Sequence, residues 1–366
     1  MGTVSIKEVA RLARVSPGTV SNVLNRPERV APTTRERVRQ AIRELGFVRH
    51  GSASTLRAGH SRTIGLSVMD IGNPFFTDVA AGAEDVVSDL GYAVILGNSA
   101  GSRSKEERNL LVFAEQRVRG VLITPSGEDP GLLDVLRERG ISVVLVDHPA
   151  YRPDLCSVTV DDVAGGRLAV AHLLDLGARR IGYLTGPRTI RQCLDRGRGG
   201  GQALAAAGLD PETVLETVEA PAMTARAGQE TAERLIASGR LPEAIFCAND
   251  LLALGVLRGL LQAGVGVPGD VALIGYDDID FAAASAVSLS SVRQPTYRLG
   301  QIAAELLLEE CGDPGAHAHR QIVFQPELVV RESTGGPGRT AATTRRRAST
   351  SSPGLKPGVS TLKEIR

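Results

Sequence analysis

The chain has 366 residues, of which 42% are hydrophobic and 23% are charged. This balance is ordinary for a globular protein and excludes collagen-like, fully disordered and heavily disulfide-bonded classes. At about 100–200 residues per domain, the length predicts two or three globular units. No run approaches the roughly 18–20 apolar residues of a membrane helix, and the first residues lack the apolar core of a secretory signal. We therefore expect a cytoplasmic protein whose four cysteines are free thiols.

Charge is distributed unevenly, although the net charge of the whole chain is only +1. Residues 1–60 carry a net charge of +7, residues 336–366 carry +6, and the segment between them carries −12. A basic head on an acidic body indicates that the head, and not the body, meets a polyanion.

Three short helices are predicted within the first 49 residues. Two of them open with capping-box spacing and one with a serine followed by proline, and a very short turn separates the first two. Two helices on so short a turn, braced by a third, indicate a helix-turn-helix unit. The residues that mark these helices are Ser5 with Glu8, Ser16 with Pro17, Thr33 with Glu36, the buried Val38, Ile42 and Leu45, and the terminating Gly46.

From residue 62 onward, apolar strand-like runs alternate with helical segments of about 12–16 residues. Continuous apolar strands between helices indicate parallel sheets covered on both faces. About 270 residues are too many for one such sheet, so we predict an α/β body of two Rossmann-like lobes. The predicted strands are Ile64–Met69, Tyr92–Leu96, Val121–Thr124, Ile141–Val146, Ile181–Leu184, Ala244–Ala248 and Val271–Gly275.

Four motifs of the basic head carry a family resemblance. They are IKEVA (6–10), VSPGTVSNVLN (15–25), RERV (35–38) and IRELGF (42–47). Together they closely resemble the headpiece of the LacI family of bacterial transcription regulators. The resemblance implies a small all-α helix-turn-helix headpiece joined to a two-lobed, parallel-sheet effector domain like the type I periplasmic binding proteins.

The second helix is the expected recognition helix, because such a helix enters the major groove by its N-terminal end. Asn22 can form a bidentate pair with adenine. Pro17 and Gly18 stand where the resemblance places two base-reading side chains, so base reading should rest mainly on Asn22. Thr19, Ser21 and Arg35 suit phosphate contacts, which set register without reading sequence. The alternative, a purely structural three-helix bundle, is opposed by the head's charge and by the motifs.

Residues 50–60 correspond to the family's hinge helix, which folds on DNA. Leu56 matches the leucine that wedges into the minor groove and kinks the duplex. The alternative is a flexible linker that happens to contain one leucine. Residues 334–366 are rich in Gly, Pro, Ser, Thr and Arg, and we expect them to be disordered. The basic run 345–347 could touch nucleic acid, or it could simply belong to a solvated tail.

The body resembles the family's effector-binding domain over residues 62–332. In an open parallel sheet, ligands bind at the carboxyl ends of the strands, and most of the matching motifs lie there. A carboxylate, an amide, a guanidinium and an aromatic ring together suit a polyhydroxylated ligand. The resemblance assigns effector contacts to Asn73, Phe75, Asp147, Arg196, Asn249, Asp277 and Gln294.

Each of these residues also has a purely structural interpretation. Asn73 and Asp277 could be helix caps, Arg196 could lie on a helix surface, and Asp147 and Asn249 could simply close strand ends. The sequence departs from the family in the run Gly199–Gly201, where relatives carry an aromatic residue. We expect this run to loosen the helix below Arg196.

The sequence therefore predicts a transcriptional repressor, a homodimer or a tetramer, that binds a pseudo-palindromic operator in double-stranded DNA. A small carbohydrate-like effector would bind between the lobes. The predicted parts are a DNA-binding domain (3–49), a hinge (50–60), an effector-binding domain (61–333) and a basic tail (334–366). We predict no cofactor and no metal, because the six histidines and four cysteines lack ligand spacing. A sugar-binding protein without DNA binding, and an enzyme acting on a nucleotide or sugar, are the alternatives, although no catalytic motif is present.

Overall fold

A computed structural model describes residues 4–47, 60–127 and 130–335. The predicted hinge residue Leu56 and residues 336–366 of the predicted tail lie outside these ranges. The predicted start of that tail at residue 334 is wrong, because Thr334 is buried and its hydroxyl lies 2.7 Å from that of Ser290. Within the described part of the chain, no helix is both long enough and apolar enough to cross a membrane.

The head is a three-helix unit built from α1 (Ile6–Ala13), α2 (Pro17–Asn25) and α3 (Pro32–Leu45), with a 3-10 turn at Pro27–Arg29. Two of the predicted helix starts are confirmed. The Glu8 carboxylate accepts the backbone N–H of Ser5 at 2.7 Å, and the Ser16 hydroxyl accepts the N–H of Thr19 at 3.0 Å. The buried core of this unit consists of Val9, Ala10, Ala13, Val20, Val23, Val38 and Ala41.

The predicted capping of α3 is wrong. No Thr33–Glu36 capping box forms, because Pro32 occupies the first helical position and Ala31 is the cap residue. Proline suits that position since it has no N–H to satisfy. Glu36 instead pairs with Arg43 at 2.8 Å. The predicted stop is confirmed, because Gly46 adopts the left-handed conformation (φ 58°) that ends many helices.

In the described part of the chain beyond the head lie twelve strands and ten helices. The strands are β1 (Thr63–Val68), β2 (Ala93–Asn98), β3 (Gly120–Ile123), β4 (Ser142–Val146), β5 (Cys156–Val160), β6 (Ile181–Thr185), β7 (Leu215–Glu219), β8 (Ala244–Cys247), β9 (Ala272–Asp277), β10 (Ser290–Arg293), β11 (Gln321–Phe324) and β12 (Glu327–Val329). The helices are α4 (Pro74–Ser88), α5 (Arg103–Glu115), α6 (Pro130–Glu138), α7 (Asp162–Asp175), α8 (Arg191–Ala206), α9 (Pro211–Val214), α10 (Ala225–Ala237), α11 (Asp250–Gln262), α12 (Asp280–Ala284) and α13 (Thr296–Gly312).

These elements form two six-stranded sheets with equivalent strand orders, β11-β5-β4-β3-β1-β2 and β12-β10-β9-β8-β6-β7. The pairs β1–β2, β1–β3, β3–β4 and β4–β5 are parallel, as are β6–β7, β6–β8, β8–β9 and β9–β10. Strand β12 runs antiparallel to β10. The two predicted Rossmann-like lobes are therefore confirmed. All seven predicted strands are present, within two residues at each end.

The sheets belong to two compact units, each assembled from separate stretches of chain. Among the described residues, unit 1 contains 4–47, 60–72, 76–127, 130–159 and 296–322, and unit 2 contains 73–75, 160–295 and 323–335. In each sheet the strand order reverses beside one central strand, β1 in unit 1 and β6 in unit 2. Open sheets bind ligands outside the carboxyl ends of their strands at such a reversal.

Helices α7 and α8 of unit 2 pack with their backbones in direct contact. A Cβ atom added to Gly166 would overlap the carbonyl oxygen of Arg196, and one added to Gly199 would overlap that of Val163. Helix α8 continues without interruption through residues 199–201. The predicted loosening of this helix is therefore wrong, because Gly199 packs against the backbone of α7, where a larger side chain would push the two helices apart.

We predict that Gly166→Ala lowers the free energy of unfolding by about 1–3 kcal/mol or more, since overpacking against rigid backbone cannot relax cheaply. Gly201→Ala is the matched control on α8, because its added Cβ meets only Pro211, at 3.8 Å. That substitution should stabilise the protein by up to about 1 kcal/mol through helix propensity. Thermal or urea unfolding of both variants would measure the difference. Equal stability of the two variants would contradict the close contact.

Candidate DNA-reading face and effector site

Helix α2 buries one side in the head and leaves the opposite side exposed. Val20 and Val23 are buried, whereas Pro17, Gly18 and Asn22 are exposed. The predicted base-reading residue Asn22 therefore stands on the outward face of α2, in its second turn. An exposed amide there is free of the packing constraints that fix the valines.

The predicted phosphate-contacting residues are partly exposed and already locally bonded. The Thr19 hydroxyl lies 3.0 Å from that of Ser16, and Ser21 accepts the Asn25 side-chain amide at 2.8 Å through its carbonyl oxygen. Arg35 donates to the carbonyl oxygen of Pro27 at 3.4 Å. These bonds hold polar groups at both ends of α2 in place.

In unit 2, Arg196 is a buried cation surrounded by partners. It is only 3% exposed, so the surface-residue alternative is wrong. Its Nε donates to Asp162 Oδ1 at 2.7 Å, and its Nη1 donates to the carbonyl oxygen of Ala248 at 2.5 Å. Its guanidinium carbon lies 3.6 Å from the centre of the Tyr276 ring, a cation–π contact. A buried guanidinium needs such compensation because desolvation is costly.

Asp277, the last residue of β9, joins the same cluster. Its carboxylate accepts the Gln294 amide at 2.8 Å and the Asn73 amide at 3.2 Å, and one oxygen lies 3.9 Å from Arg196 Nη1. Helix α12 begins later, with Ile279 as its cap residue, so Asp277 is not a helix cap. Oε1 of Gln294 is buried and has no hydrogen-bond partner among the described residues. This oxygen can therefore accept a hydrogen bond from a bound ligand.

Burial sets the electrostatics of this cluster. It raises the pKa of Asp277 to about 6, while Arg196 and the amides of Asn73 and Gln294 oppose the rise. Burial likewise raises the pKa of Asp162, against the opposing charge of Arg196. Shifted carboxyl groups around a buried cation are typical of functional sites.

The side chains of the remaining unit 2 candidates also have roles in the fold itself. Asn249 caps α11 through the N–H of Leu252 at 2.9 Å, and its side-chain amide donates to the Met223 carbonyl oxygen at 3.2 Å. Asn73 combines both roles, since its Oδ1 also accepts the N–H of Phe75 at 3.1 Å. Phe75 is 2% exposed and therefore buried.

Asp147 belongs to unit 1, where it directly follows β4. It is 7% exposed and has a left-handed backbone (φ 54°), as do Asp277 (φ 110°) and Asp278 (φ 57°) in unit 2. Non-glycine residues with positive φ are uncommon and often occur at functional sites. In both sheets, an aspartate in this conformation thus stands at the carboxyl end of a strand.

Sequence reasoning missed three residues of the unit 2 cluster. Asp162 and Tyr276 compensate the charge of Arg196. Asp250 is fully buried and accepts the Ser291 hydroxyl at 2.7 Å and the N–H of Ile279 at 2.9 Å, which fixes the turn after Asp277. Asp162 and Asp250 each stand shortly after a strand, at the start of a helix. Their position was a usable signal, whereas nothing in the sequence indicated the stacking of Tyr276.

The fold and this arrangement define a class of protein, the helix-turn-helix transcription regulators that carry a periplasmic-binding-protein-like domain. Two family models match the chain. Residues 5–50 match the model for bacterial regulatory proteins of the lacI family, and residues 170–334 match that for a periplasmic binding protein-like domain.

A comparison with curated proteins points to the same family. The chain is 36% identical over 330 residues to the HTH-type transcriptional repressor PurR of Photobacterium profundum, covering 90% of this chain and 98% of the relative. The chain belongs to the LacI family, and it is a DNA-binding transcriptional repressor rather than an enzyme.

Solved structures resemble the chain over about nine-tenths of its length. A complex of the transcriptional regulator CelR with cellobiose matches with a TM-score of 0.67 and 32% identity, over 90% of this chain and 99% of that one. A lac repressor dimer bound to operator and the anti-inducer ONPF matches with a TM-score of 0.76 and 25% identity, over 91% and 99%.

We predict that Asp277→Asn changes the pH dependence of stability. At pH 4.5, the Asp277 carboxyl is protonated in the folded protein but mostly ionised in the unfolded chain, because its pKa is raised by folding to about 6. Its contribution to stability is therefore lost as pH rises from about 4 to 6. The neutral amide has no such dependence. Relative to the wild type, the variant should gain about 2 kcal/mol between pH 4.5 and pH 7.

Thermal unfolding of the two proteins at both pH values would measure this gain. A stability difference between variant and wild type that is the same at the two pH values would show that Asp277 does not titrate as described.

Proposed function

We propose that this LacI-family repressor acts in the cytoplasm as a homodimer on a pseudo-palindromic operator, and that a carbohydrate-like effector controls its operator affinity. Asn22 reads bases, while Thr19, Ser21 and Arg35 contact phosphates around Pro17 and Gly18. The exposed face of α2 in the basic head supports this assignment.

The dimer follows from the size of the reading element. One short helix contacts only a few base pairs, so two-fold pairing of heads on two half-sites provides the needed specificity. The solved lac repressor, which resembles this chain, is a dimer on its operator.

The effector site is the cluster around Arg196 and Asp277, and the observation that carries it is their joint burial at the carboxyl ends of the unit 2 strands. Guanidinium, carboxylate and amide groups together offer both donors and acceptors, which a polyhydroxylated ligand can use in pairs. We assign further contacts to Asn73, Gln294, Asn249, Phe75 and, from unit 1, Asp147. The relative CelR was solved with cellobiose.

Coupling passes through the proposed hinge at residues 50–60, between the DNA-binding domain (3–49) and the effector-binding domain (61–333). Leu56 inserts into the minor groove when the hinge is folded. The effector changes operator affinity only to the extent that it binds one arrangement of the effector domain better than another.

We predict that Asn22→Ala weakens binding to the preferred operator by about 5- to 150-fold, which corresponds to the roughly 1–3 kcal/mol of a bidentate base contact. Binding to random DNA should stay within twofold. The operator would be obtained by selection from random duplexes, and affinities measured by fluorescence anisotropy at one salt concentration. Gln40→Ala, an exposed change on α3, is the control. Equal weakening on both kinds of DNA would assign Asn22 to general affinity instead of base reading.

We predict that a carbohydrate raises the melting temperature of the full chain in a thermal-shift screen, because a ligand at 100 times its dissociation constant adds about 2.7 kcal/mol. The screen would include cellobiose, ribose, polyols and nucleosides. Asp277→Asn should reduce affinity for the ligand by about 10- to 150-fold, the equivalent of a charged hydrogen bond, and leave operator binding intact.

Arg198→Ala, an exposed change on the same helix as Arg196, should leave both activities unchanged. A shift produced by nucleosides alone would refute the carbohydrate assignment. An undiminished affinity in Asp277→Asn would refute the site.

A further inference from the structure

Unit 1 contains a second cluster of chemically active side chains, which the DNA and effector functions do not use. It consists of Cys156, Glu310, His317 and His319. Cys156 begins β5, Glu310 lies in the last turn of α13, and the two histidines lie on the loop that connects α13 to β11. Residues more than 150 positions apart in sequence are thus brought to one point.

The four potential ligand atoms converge. Cys156 Sγ lies 3.1 Å from His317 Nε2 and 3.8 Å from His319 Nδ1, and His319 Nδ1 lies 3.9 Å from Glu310 Oε2. All four atoms lie within 4.8 Å of one another. Tetrahedral ligands at zinc distances of about 2.0–2.3 Å are separated by about 3.3–3.8 Å, so small side-chain rotations would complete such a site.

A buried carboxylate oxygen is the second, independent observation. Glu310 is 6% exposed, and its Oε2, which faces His319, has no hydrogen-bond partner among the described residues. A buried acceptor without a partner is costly. Cys156 is fully buried, whereas both histidines are half-buried, so an ion has a route from solvent on the histidine side.

We propose that Cys156, Glu310, His317 and His319 bind one Zn²⁺ ion. One thiolate and one carboxylate carry two negative charges, which a divalent cation neutralises without a further counterion. A thiolate with two imidazoles selects zinc over Mg²⁺ or Ca²⁺, which prefer oxygen ligands. The backbone N–H of Arg320 donates to Cys156 Sγ at 3.3 Å, an outer contact that orients the sulfur.

Four protein ligands leave no open position, so this zinc is structural. The ion links the loop between α13 and β11 to strand β5. Strand β11 lies at the edge of the unit 1 sheet, beside β5, and Ser157 donates its N–H to the carbonyl oxygen of Arg320 at 3.0 Å. The ion ties both sides of this edge pairing together.

The test titrates Co²⁺ into the untagged full chain after treatment with EDTA and removal of the chelator. Co²⁺ replaces Zn²⁺ in such sites and reports its ligands by absorption. We expect one Co²⁺ per chain, a thiolate-to-metal charge-transfer band, intense ligand-field bands of tetrahedral geometry, and displacement of Co²⁺ by Zn²⁺. Hydrogen exchange should slow at residues 313–322 when Zn²⁺ is added.

His317→Ala removes a ligand from a half-buried loop position and should weaken Co²⁺ affinity by at least 100-fold. Cys156→Ser should abolish the charge-transfer band. The matched controls are His60→Ala and Cys193→Ser, which lie outside the cluster and should bind Co²⁺ as the wild type does.

Octahedral Co²⁺ spectra without a thiolate band in the wild type would overturn the proposal, and this measurement does not depend on the folding of any variant. Wild-type affinity in His317→Ala would also overturn it. Loss of binding in the two control variants would place the ion elsewhere and refute the site.

Discussion

A buried guanidinium is the constraint on which the organisation of unit 2 depends. Arg196 cannot be left in a low-dielectric interior without compensation, and its compensation comes from three different parts of the chain. Asp162 starts the helix after β5, Ala248 follows β8, and Tyr276 lies on β9. Each partner lies near the carboxyl end of a strand or the start of the next helix. The need to balance one charge therefore brings these three parts of the chain together around Arg196.

The head and the body differ in how exposed their charged side chains are and in how they are paired. Among the described residues of the head, cations are exposed and few are paired, which keeps them available for a polyanion. In the body, the charges of Arg196, Asp162 and Asp277 are buried and matched to one another. Arg35 and Arg196 illustrate the difference, because one is half-exposed beside a carbonyl oxygen and the other is enclosed by an aspartate and an aromatic ring.

The amino-acid sequence predicted those elements whose structure follows from the pattern of neighbouring residues. Buried parallel strands are continuous apolar runs, so β1, β4 and β9 were predictable. The edge strand β7, with the sequence LETVE, contains two glutamates among its five residues and was not predictable. Arg196 and Asp277 were found through resemblance. The position of Asp162 after a strand was a usable signal, but its pairing with Arg196 was not, because the two residues are 34 positions apart. The run Gly199–Gly201 was misjudged because helix propensity says nothing about a neighbouring backbone. The Cys156 cluster depends on contacts that no spacing rule describes.

The discontinuous assembly of the two units has a consequence for synthesis on the ribosome. Strands β11 and β12, each at one edge of its sheet, come last in the chain, so neither sheet is complete until residues 321–329 have emerged. About 160 residues separate β5 from its neighbour β11, so at about 5–20 residues per second the edge of β5 stays unpaired for roughly 8–32 s. Unpaired edges are templates for aggregation. The core of the head lies entirely within residues 9–41, so a nascent chain can carry a finished head on an incomplete body.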